Sequence, residues 1–178
     1  SFWIRSRQAL RCECPSCICC WGVMDLLIRN GRLVDPGRKI DTVTDILVRD
    51  GKIRKIGQVD SQDIPVFVAA KLIVAPGFFD IHVHLREPGT EEAETIATGG
   101  EAAVAGGFTA VAAMQNTEPP NDNPSLTHYI LSHAERSSPA RVFPIGAISK
   151  EQKGETLAEI GEMYEAGIVG ISDDGKPV

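Results

Sequence analysis

Several features are scarce in this sequence of 178 residues, and each absence excludes a class of protein. No apolar run approaches the roughly 20 residues of a membrane-spanning helix, so we expect no membrane segment. Lys and Arg number 18 against 24 Asp and Glu, and the net charge of −6 argues against a nucleic-acid partner. Aromatic residues make up only 6%, whereas 17 Gly and 11 Pro indicate many turns between short elements. This composition also excludes a coiled coil, a collagen and a disordered tail.

Cysteine is absent from residues 21–178, because all five cysteines lie between Cys12 and Cys20. A cysteine-free body suits a reducing cytosol, so we expect a cytoplasmic protein. One alternative for the cysteine run is a zinc knuckle, but its spacing is tighter than that of paired CxxC sites. Another is a secretory signal, which would need a continuous apolar stretch and a small-residue cleavage site. We therefore interpret residues 1–23 as a non-native or disordered leader that ends before Met24.

Residues 24–75 carry short apolar segments separated by turn residues, a pattern typical of a small β-rich unit. Asn30-Gly31 and Asp50-Gly51 each lie between apolar runs, and such pairs are strong signals of a β-hairpin. The polar residues of this segment lie mainly in turns. We therefore expect part of a β-sandwich that serves as a packing layer rather than a catalytic unit.

Residues 76–178 alternate strand patterns with helix patterns. We predict strands at residues 78–85, 108–114, 141–148 and 168–172, and helices at residues 91–105, 123–136 and 156–166. Repeated βα units indicate a parallel sheet covered by helices. The predicted fold class is therefore α/β, either the first half of a (β/α)8 barrel or a small open sheet, preceded by the β-rich segment.

Four polar residues recur at every second position of the first predicted strand: Asp80, His82, His84 and Arg86. Side chains alternate between the two faces of a strand, so this row shares one face. Because strands of βα units are normally buried on both faces, such a row needs partners. Two imidazoles spaced two residues apart can bind one metal ion, and this interpretation is favoured over two histidines that bond only to the backbone.

Other polar residues follow the carboxyl ends of predicted strands, where barrel active sites form. Arg86 offers a fixed cation for a carboxylate, or else a salt bridge to Glu87 or Glu91. Asn116 ends the second strand and is equally suited to contact a ligand or to cap a turn. The pair Asp173-Asp174 ends the fourth strand and offers either a metal ligand or an Asp-Gly turn.

A longer motif surrounds these residues. It runs Gly77-Phe78-Phe79-Asp80-Ile81-His82-Val83-His84-Leu85-Arg86-Glu87-Pro88-Gly89, and it is followed by Gly106-Gly107-Phe108-Thr109, Asn116-Thr117, Asp122-Asn123-Pro124 and Ser172-Asp173-Asp174-Gly175. The motif resembles the signature of the cyclic amidohydrolases, and within them the longer bacterial dihydroorotases. The resemblance extends from about Met24 to Val178. It implies a (β/α)8 barrel together with a β-sandwich built from both ends of the chain.

The resemblance also implies a zinc centre. His82 and His84 would bind the first zinc ion, and one aspartate of the Ser-Asp-Asp-Gly run would reach the metal site. Of the two we expect Asp173 rather than Asp174. Later barrel strands of the family supply two further histidines and an aspartate that acts as general acid and base. We expect those residues beyond Val178, so no catalytic residue is assigned within the chain.

The implied reaction is the interconversion of N-carbamoyl-L-aspartate and dihydroorotate in pyrimidine biosynthesis. Arg86 and Asn116 would hold the substrate carboxylate. The rival within the family is an allantoinase or hydantoinase, where other residues commonly stand at the position of Arg86 and a lysine bridges the metals. Arg86 favours a substrate with a ring carboxylate. Gln115 departs from the family, which usually has proline before Asn-Thr.

A different class of function is a non-catalytic fragment, or a structural partner of aspartate carbamoyltransferase. Such chains of the family tend to lose the histidine pair, which His82 and His84 retain here. We therefore expect an active parent enzyme, working on its small-molecule substrate alone, as a homo-oligomer or with aspartate carbamoyltransferase. We also expect the 178-residue chain alone to be inactive and poorly stable, because a half-barrel leaves strand edges open.

Overall fold

The computed structural model describes residues 25–60 and 63–176. The chain divides into two compact units between Pro76 and Gly77. The proposed leader, residues 1–23, lies outside the described residues. Within the described ranges, no helix is long and apolar enough to cross a membrane.

The described residues of the first unit form a five-stranded sheet arranged around its first strand. Its strands are β1 (Leu26–Asp35), β2 (Ile40–Arg49), β3 (Lys52–Ile56), β4 (Val66–Val68) and β5 (Ile73–Val74). Strand β2 pairs antiparallel with β1, and β3 pairs antiparallel with β2. Strands β4 and β5 pair with β1 in parallel. The hairpin predicted at Asp50-Gly51 is confirmed, since both residues have positive φ (51° and 67°) and link β2 to β3.

The hairpin predicted at Asn30-Gly31 is wrong. Strand β1 continues through this pair, and the register with β2 shifts between Ile28 and Gly31, which is a β-bulge. Asn30 has φ 59°, and its backbone N–H donates to Asp45 Oδ1 at 3.0 Å. A Cβ on Gly31 would lie 2.7 Å from Val74 Cγ2, so the residue lets β5 approach β1 closely. The same turn-forming residues therefore serve here to bend a strand.

The second unit alternates strands and helices. Its elements are β6 (Phe78–Val83), α1 (Ile96–Ala105), β7 (Phe108–Ala113), α2 (Pro124–Ser137), β8 (Arg141–Gly146), α3 (Ile160–Ala166) and β9 (Gly170–Ile171). The four strands are parallel and lie in chain order, β6-β7-β8-β9, as a curled half-barrel sheet. The four strands and three helices predicted for residues 76–178 are thus confirmed, although most are shorter than predicted.

Local capping explains where the helices begin. Helix α1 starts at Ile96 rather than at residue 91, because Thr95 and Thr98 form a reciprocal capping box. Asn123 caps α2 through a hydrogen bond from Leu126 N, and Pro124 occupies the first turn. Helix α3 ends at Gly167, whose φ of 114° is readily available only to glycine.

Both faces of the parallel sheet are apolar, as expected for βα units. One face packs against α1 and α2 in a core formed by Leu85, Ile96, Val111, Ala113, Ile130, Ala134 and Val142. The other face forms an open apolar hollow lined by Phe79, Ile81, Ala112, Phe143, Ile145 and Val169. The polar side chains described next lie at the carboxyl end of the sheet, where His82 belongs to the end of β6 and His84, Asn116 and Asp174 follow strand ends.

Candidate metal centre

A β-bulge in β6 sets the direction of the histidine pair. Asp80 pairs with Val111 and Val83 pairs with Ala113, so β6 contains one residue more than β7 over this interval. Ile81 consequently lines the apolar hollow, whereas Val83 packs against the core on the opposite face. The simple alternation predicted along this strand is therefore wrong at Ile81. Bulges of this kind re-aim side chains next to functional sites.

His82 and His84 converge on one carboxylate. Asp174 Oδ2 lies 3.4 Å from His82 Nε2 and 3.7 Å from His84 Nε2. The three potential ligand atoms all lie within 4.8 Å of one another, and the two imidazole rings are 5.2 Å apart. The side chain of His82 is 51% exposed, that of His84 is 30% exposed and that of Asp174 is 33% exposed. An ion could therefore reach them from solvent.

Asn116 fixes the orientation of His84. Its Oδ1 lies 2.8 Å from His84 Nδ1, which is hydrogen-bond distance. If Nδ1 donates this bond, Nε2 keeps its lone pair and faces Asp174. A hydrogen bond to the second ring nitrogen is the usual way in which a protein orients a metal-binding histidine. The structure thus places Asn116, predicted to contact a ligand, against His84.

The structure differs from the sequence-based expectation in the aspartate that it places there. Asp173 is 6% exposed and faces away from the histidines. Its carboxylate accepts hydrogen bonds from Ile148 N at 2.9 Å, Ser149 N at 3.1 Å and Ser149 Oγ at 2.5 Å. Asp173 is thus anchored on the segment after β8, whereas the next residue, Asp174, lies in a turn with its carboxylate toward the histidines.

Arg86 is half-buried and has a positive φ of 54°. Neither alternative partner binds it: Glu87 accepts from Ile96 N and contacts His133, and Glu91 accepts from Gly89 N. Within residues 25–60 and 63–176, the Arg86 guanidinium makes no ion pair. A guanidinium that is unpaired in this part of the chain, two residues after His84, is available for an anionic ligand.

Two further buried side chains were not singled out as site residues from the sequence. Gln115 is fully buried, its Nε2 lies 3.5 Å from the Asp174 carbonyl oxygen, and its Oε1 has no partner among the described residues. Asn121 is also fully buried and donates from Nδ2 to Ile145 O at 2.8 Å. Its backbone N–H donates to Gln115 O at 2.9 Å. These two amides join the segments at the ends of β7, β8 and β9. Their partners there are distant in the sequence, so no local sequence signal identifies them as part of the site.

The donor atoms suit a metal ion of the zinc type. Two neutral imidazole nitrogens and one carboxylate oxygen form a common ligand set for catalytic Zn²⁺, in which three protein ligands leave a position open. His82, His84 and Asp174 supply this set, and Asn116 supplies the outer hydrogen bond. Within the described ranges, this is the one group of three or more such side chains that meets the geometric requirement.

Comparison of the sequence with known protein families identifies the family of this chain. A family model described as dihydro-orotase-like matches residues 70–178, which is more than half of the chain. The chain belongs to the dihydro-orotase-like family. This confirms the resemblance drawn from the motif around His82 and His84.

Curated relatives of this dihydro-orotase-like chain bear the name dihydroorotase. The relative from Geobacter sp. (strain M21) is 51% identical over 157 residues, which cover 87% of this chain and 37% of the relative. The relative from Solibacter usitatus (strain Ellin6076) is 52% identical over 156 residues, covering 87% and 36%. The chain therefore spans little more than a third of the length of these curated relatives.

Solved structures show the same fold. L-hydantoinase (dihydropyrimidinase) from Arthrobacter aurescens matches with a TM-score of 0.71 at 27% identity, over 83% of this chain and 32% of that chain. A dihydroorotase crystal structure matches with a TM-score of 0.57 at 18% identity, over 83% and 42%, a likeness that shows the fold alone. The predicted fold, half of a (β/α)8 barrel after a β-rich segment, is confirmed.

Proposed function

We propose that this chain is the amino-terminal portion of a metal-dependent dihydroorotase, which interconverts N-carbamoyl-L-aspartate and dihydroorotate. The observation that carries the proposal is the convergence of His82, His84 and Asp174 within 4.8 Å at the end of the parallel strands. The site arises in a chain about half identical to proteins named dihydroorotase.

We propose zinc as the metal, held by His82 Nε2, His84 Nε2 and Asp174 Oδ2 in place of the Asp173 carboxylate. When bound, zinc polarises an amide carbonyl and lowers the pKa of a coordinated water. The chain's own residues prepare that site. Asn116 holds His84 in one ring orientation, and the carboxylate offsets the positive charge of the ion.

Substrate orientation falls to Arg86 and Asn116. The guanidinium of Arg86 is unpaired among the described residues, and its planar fork matches the two oxygens of a carboxylate. Asn116 uses Oδ1 for His84, so its Nδ2 remains available to donate to the same ligand. Together they would fix the ring carboxylate of dihydroorotate while its amide faces the metal.

Hydantoinase or allantoinase activity is the alternative within the fold, and the match to L-hydantoinase supports its architecture. Their substrates lack the ring carboxylate that an unpaired Arg86 would bind, so dihydroorotate is favoured. A purely structural partner of aspartate carbamoyltransferase would have no use for the convergent histidines. We propose that the enzyme acts in the cytoplasm on this small-molecule substrate, with association into a homo-oligomer or with that transferase as an additional property.

A hybrid enzyme tests the proposal. Residues 25–178 replace the matching segment of the Geobacter sp. (strain M21) dihydroorotase, and hydrolysis of dihydroorotate, hydantoin and allantoin is compared. We expect activity on dihydroorotate, lost in a His82→Ala hybrid. An Arg86→Met hybrid should have a KM for dihydroorotate raised about 100-fold, since a charged bidentate contact contributes about 3 kcal/mol.

Equal KM values for the Arg86→Met and parent hybrids would contradict the role of Arg86. Full activity in the His82→Ala hybrid would contradict the metal centre itself. Faster hydrolysis of hydantoin or allantoin than of dihydroorotate would transfer the assignment to the alternative.

A further inference from the structure

We propose that Ser149 and Asp173 are positioning residues, which together hold the Asp174 carboxylate in place for the metal ion. This inference rests on the proposed metal centre and adds two residues to it. Neither touches the histidines, and both act through the backbone that carries Asp174.

Asp173 is anchored by more hydrogen bonds than a simple turn requires. Its two carboxylate oxygens accept from Ile148 N, Ser149 N and Ser149 Oγ at 2.9, 3.1 and 2.5 Å. All three donors belong to the segment that follows β8, while Asp173 follows β9. Because hydrogen bonds to an ionised carboxylate are about twice as strong as neutral ones, this contact joins the two strand ends firmly.

Ser149 is itself buried and fixed by hydrogen bonds from its side chain and its backbone. It is 2% exposed, and its hydroxyl both donates to Asp173 Oδ2 and accepts from Gly154 N at 2.9 Å. Its backbone oxygen accepts from Gln152 N at 3.1 Å. A hydroxyl that accepts one hydrogen bond and donates another is restrained in its rotation, and this in turn restrains the carboxylate that it binds.

The backbone on both sides of Asp174 is also fixed. Asp174 N donates to Ser172 Oγ at 3.0 Å, and Lys176 N donates to Asp173 O at 2.8 Å. On the other side, Gln115 Nε2 lies 3.5 Å from the Asp174 carbonyl oxygen. The anchored carboxylate therefore settles the direction of its neighbour, and Asp174 Oδ2 reaches both histidine rings. A metal site tolerates ligand displacements of only about 0.2 Å, so such support bears on affinity.

The test measures Co²⁺ binding by the 178-residue chain after alkylation of its five cysteine thiols. The variant is Ser149→Ala, which removes one buried hydroxyl. The matched control is Ser138→Ala, because Ser138 is 7% exposed and donates from Oγ to Ala140 O at 2.8 Å, away from the histidines. His82→Ala tests the metal centre, and Asp173→Asn is a second test of the anchor.

We expect Ser149→Ala and Asp173→Asn to weaken Co²⁺ binding by about 10- to 100-fold, as loss of outer hydrogen bonds does at metal sites. The visible absorption spectrum of bound Co²⁺ should change shape as well, since it reports ligand geometry. Ser138→Ala should lower the urea midpoint to a similar extent as Ser149→Ala, yet keep the wild-type affinity and spectrum. A general loss of stability would not produce that difference.

Wild-type affinity and spectrum in both Ser149→Ala and Asp173→Asn would overturn the positioning role while leaving the metal centre intact. Wild-type affinity in His82→Ala would instead overturn the metal centre. If neither anchor variant folds, amide hydrogen exchange of the wild-type chain decides. Co²⁺ should then slow exchange at Ile148 and Ser149 more than at Ile96, and equal slowing would contradict the proposal.

Discussion

Glu87 makes buried contacts that join three segments of the chain outside the metal centre. Its side chain is 7% exposed, Oε2 accepts from Ile96 N at 2.7 Å, and Oε1 lies 2.8 Å from His133 Nδ1. The carboxylate thereby satisfies the first N–H of α1, places a negative charge at the N-terminus of that helix and contacts His133 of α2. Replacing it with alanine removes all three effects at once.

The expected cost of Glu87→Ala follows from these contacts. Ile96 is fully buried, so its N–H without an acceptor costs about 1–3 kcal/mol. Loss of a negative charge at a helix N-terminus costs about 0.3–1 kcal/mol. The His133 side chain is 32% exposed, so its contact is screened and adds about 0.5 kcal/mol. We therefore expect the free energy of unfolding to fall by about 3 kcal/mol.

Urea unfolding of the 178-residue chain measures this change. With a slope of about 2 kcal/mol/M, the midpoint should fall by about 1.5 M. Glu92→Ala is the matched control, because Glu92 is exposed and has no hydrogen bond or ion pair among the described residues. Glu87→Gln keeps an acceptor for Ile96 N and should lose about half as much. Equal midpoints for Glu87→Ala and Glu92→Ala would refute the reasoning.

Three further predictions concern other parts of the chain. Gly89 has φ 108°, and a Cβ there would meet the Glu118 backbone, so Gly89→Ala should lower the free energy of unfolding by about 3 kcal/mol in urea unfolding. Two hydrogen bonds from Arg32 at 2.7 Å hold the pKa of the Asp41 carboxyl below its usual value, so the pair stabilises the fold at neutral pH and loses this effect as pH falls through the folded pKa. The difference in urea midpoint between wild type and Asp41→Asn should therefore shrink from about pH 7 to about pH 3, and a constant difference would contradict it. Asn116→Ala should weaken Co²⁺ binding by the thiol-alkylated chain about 10-fold, measured by spectroscopic titration, because the histidine that it orients gains rotational freedom.

The order of elements in the second unit was predictable, but their ends were not. Hydrophobic periodicity identified each strand and helix, since it reflects the faces that become buried. Residues 91–94 are good helix formers by composition, yet the capping box at Thr95 starts α1 at Ile96. At Asn30-Gly31, the local signal suits a hairpin and a bulge equally. The choice depends on the partner strand, which local sequence does not specify.

The candidate site was likewise predictable in part. The spacing of His82 and His84 predicted their convergence, because they stand two residues apart at the end of one strand. The choice between Asp173 and Asp174 depends on Ser149, which lies 24 residues earlier than Asp173 and anchors its carboxylate. The bulge at Ile81 likewise appears only in the pairing with β7. Contacts between distant segments of the chain thus decide which of two chemically equivalent neighbours faces the site.

X-ray absorption of the Zn²⁺-loaded, thiol-alkylated chain tests the central claim most directly. Alkylation removes the cysteine run Cys12–Cys20 as a competing ligand. The account predicts one Zn²⁺ per chain with two imidazole nitrogens at about 2.0–2.1 Å, and the loss of this scattering in the His82→Ala, His84→Ala double variant. A wild-type chain that retains no zinc, or imidazole scattering that survives in the double variant, would contradict it.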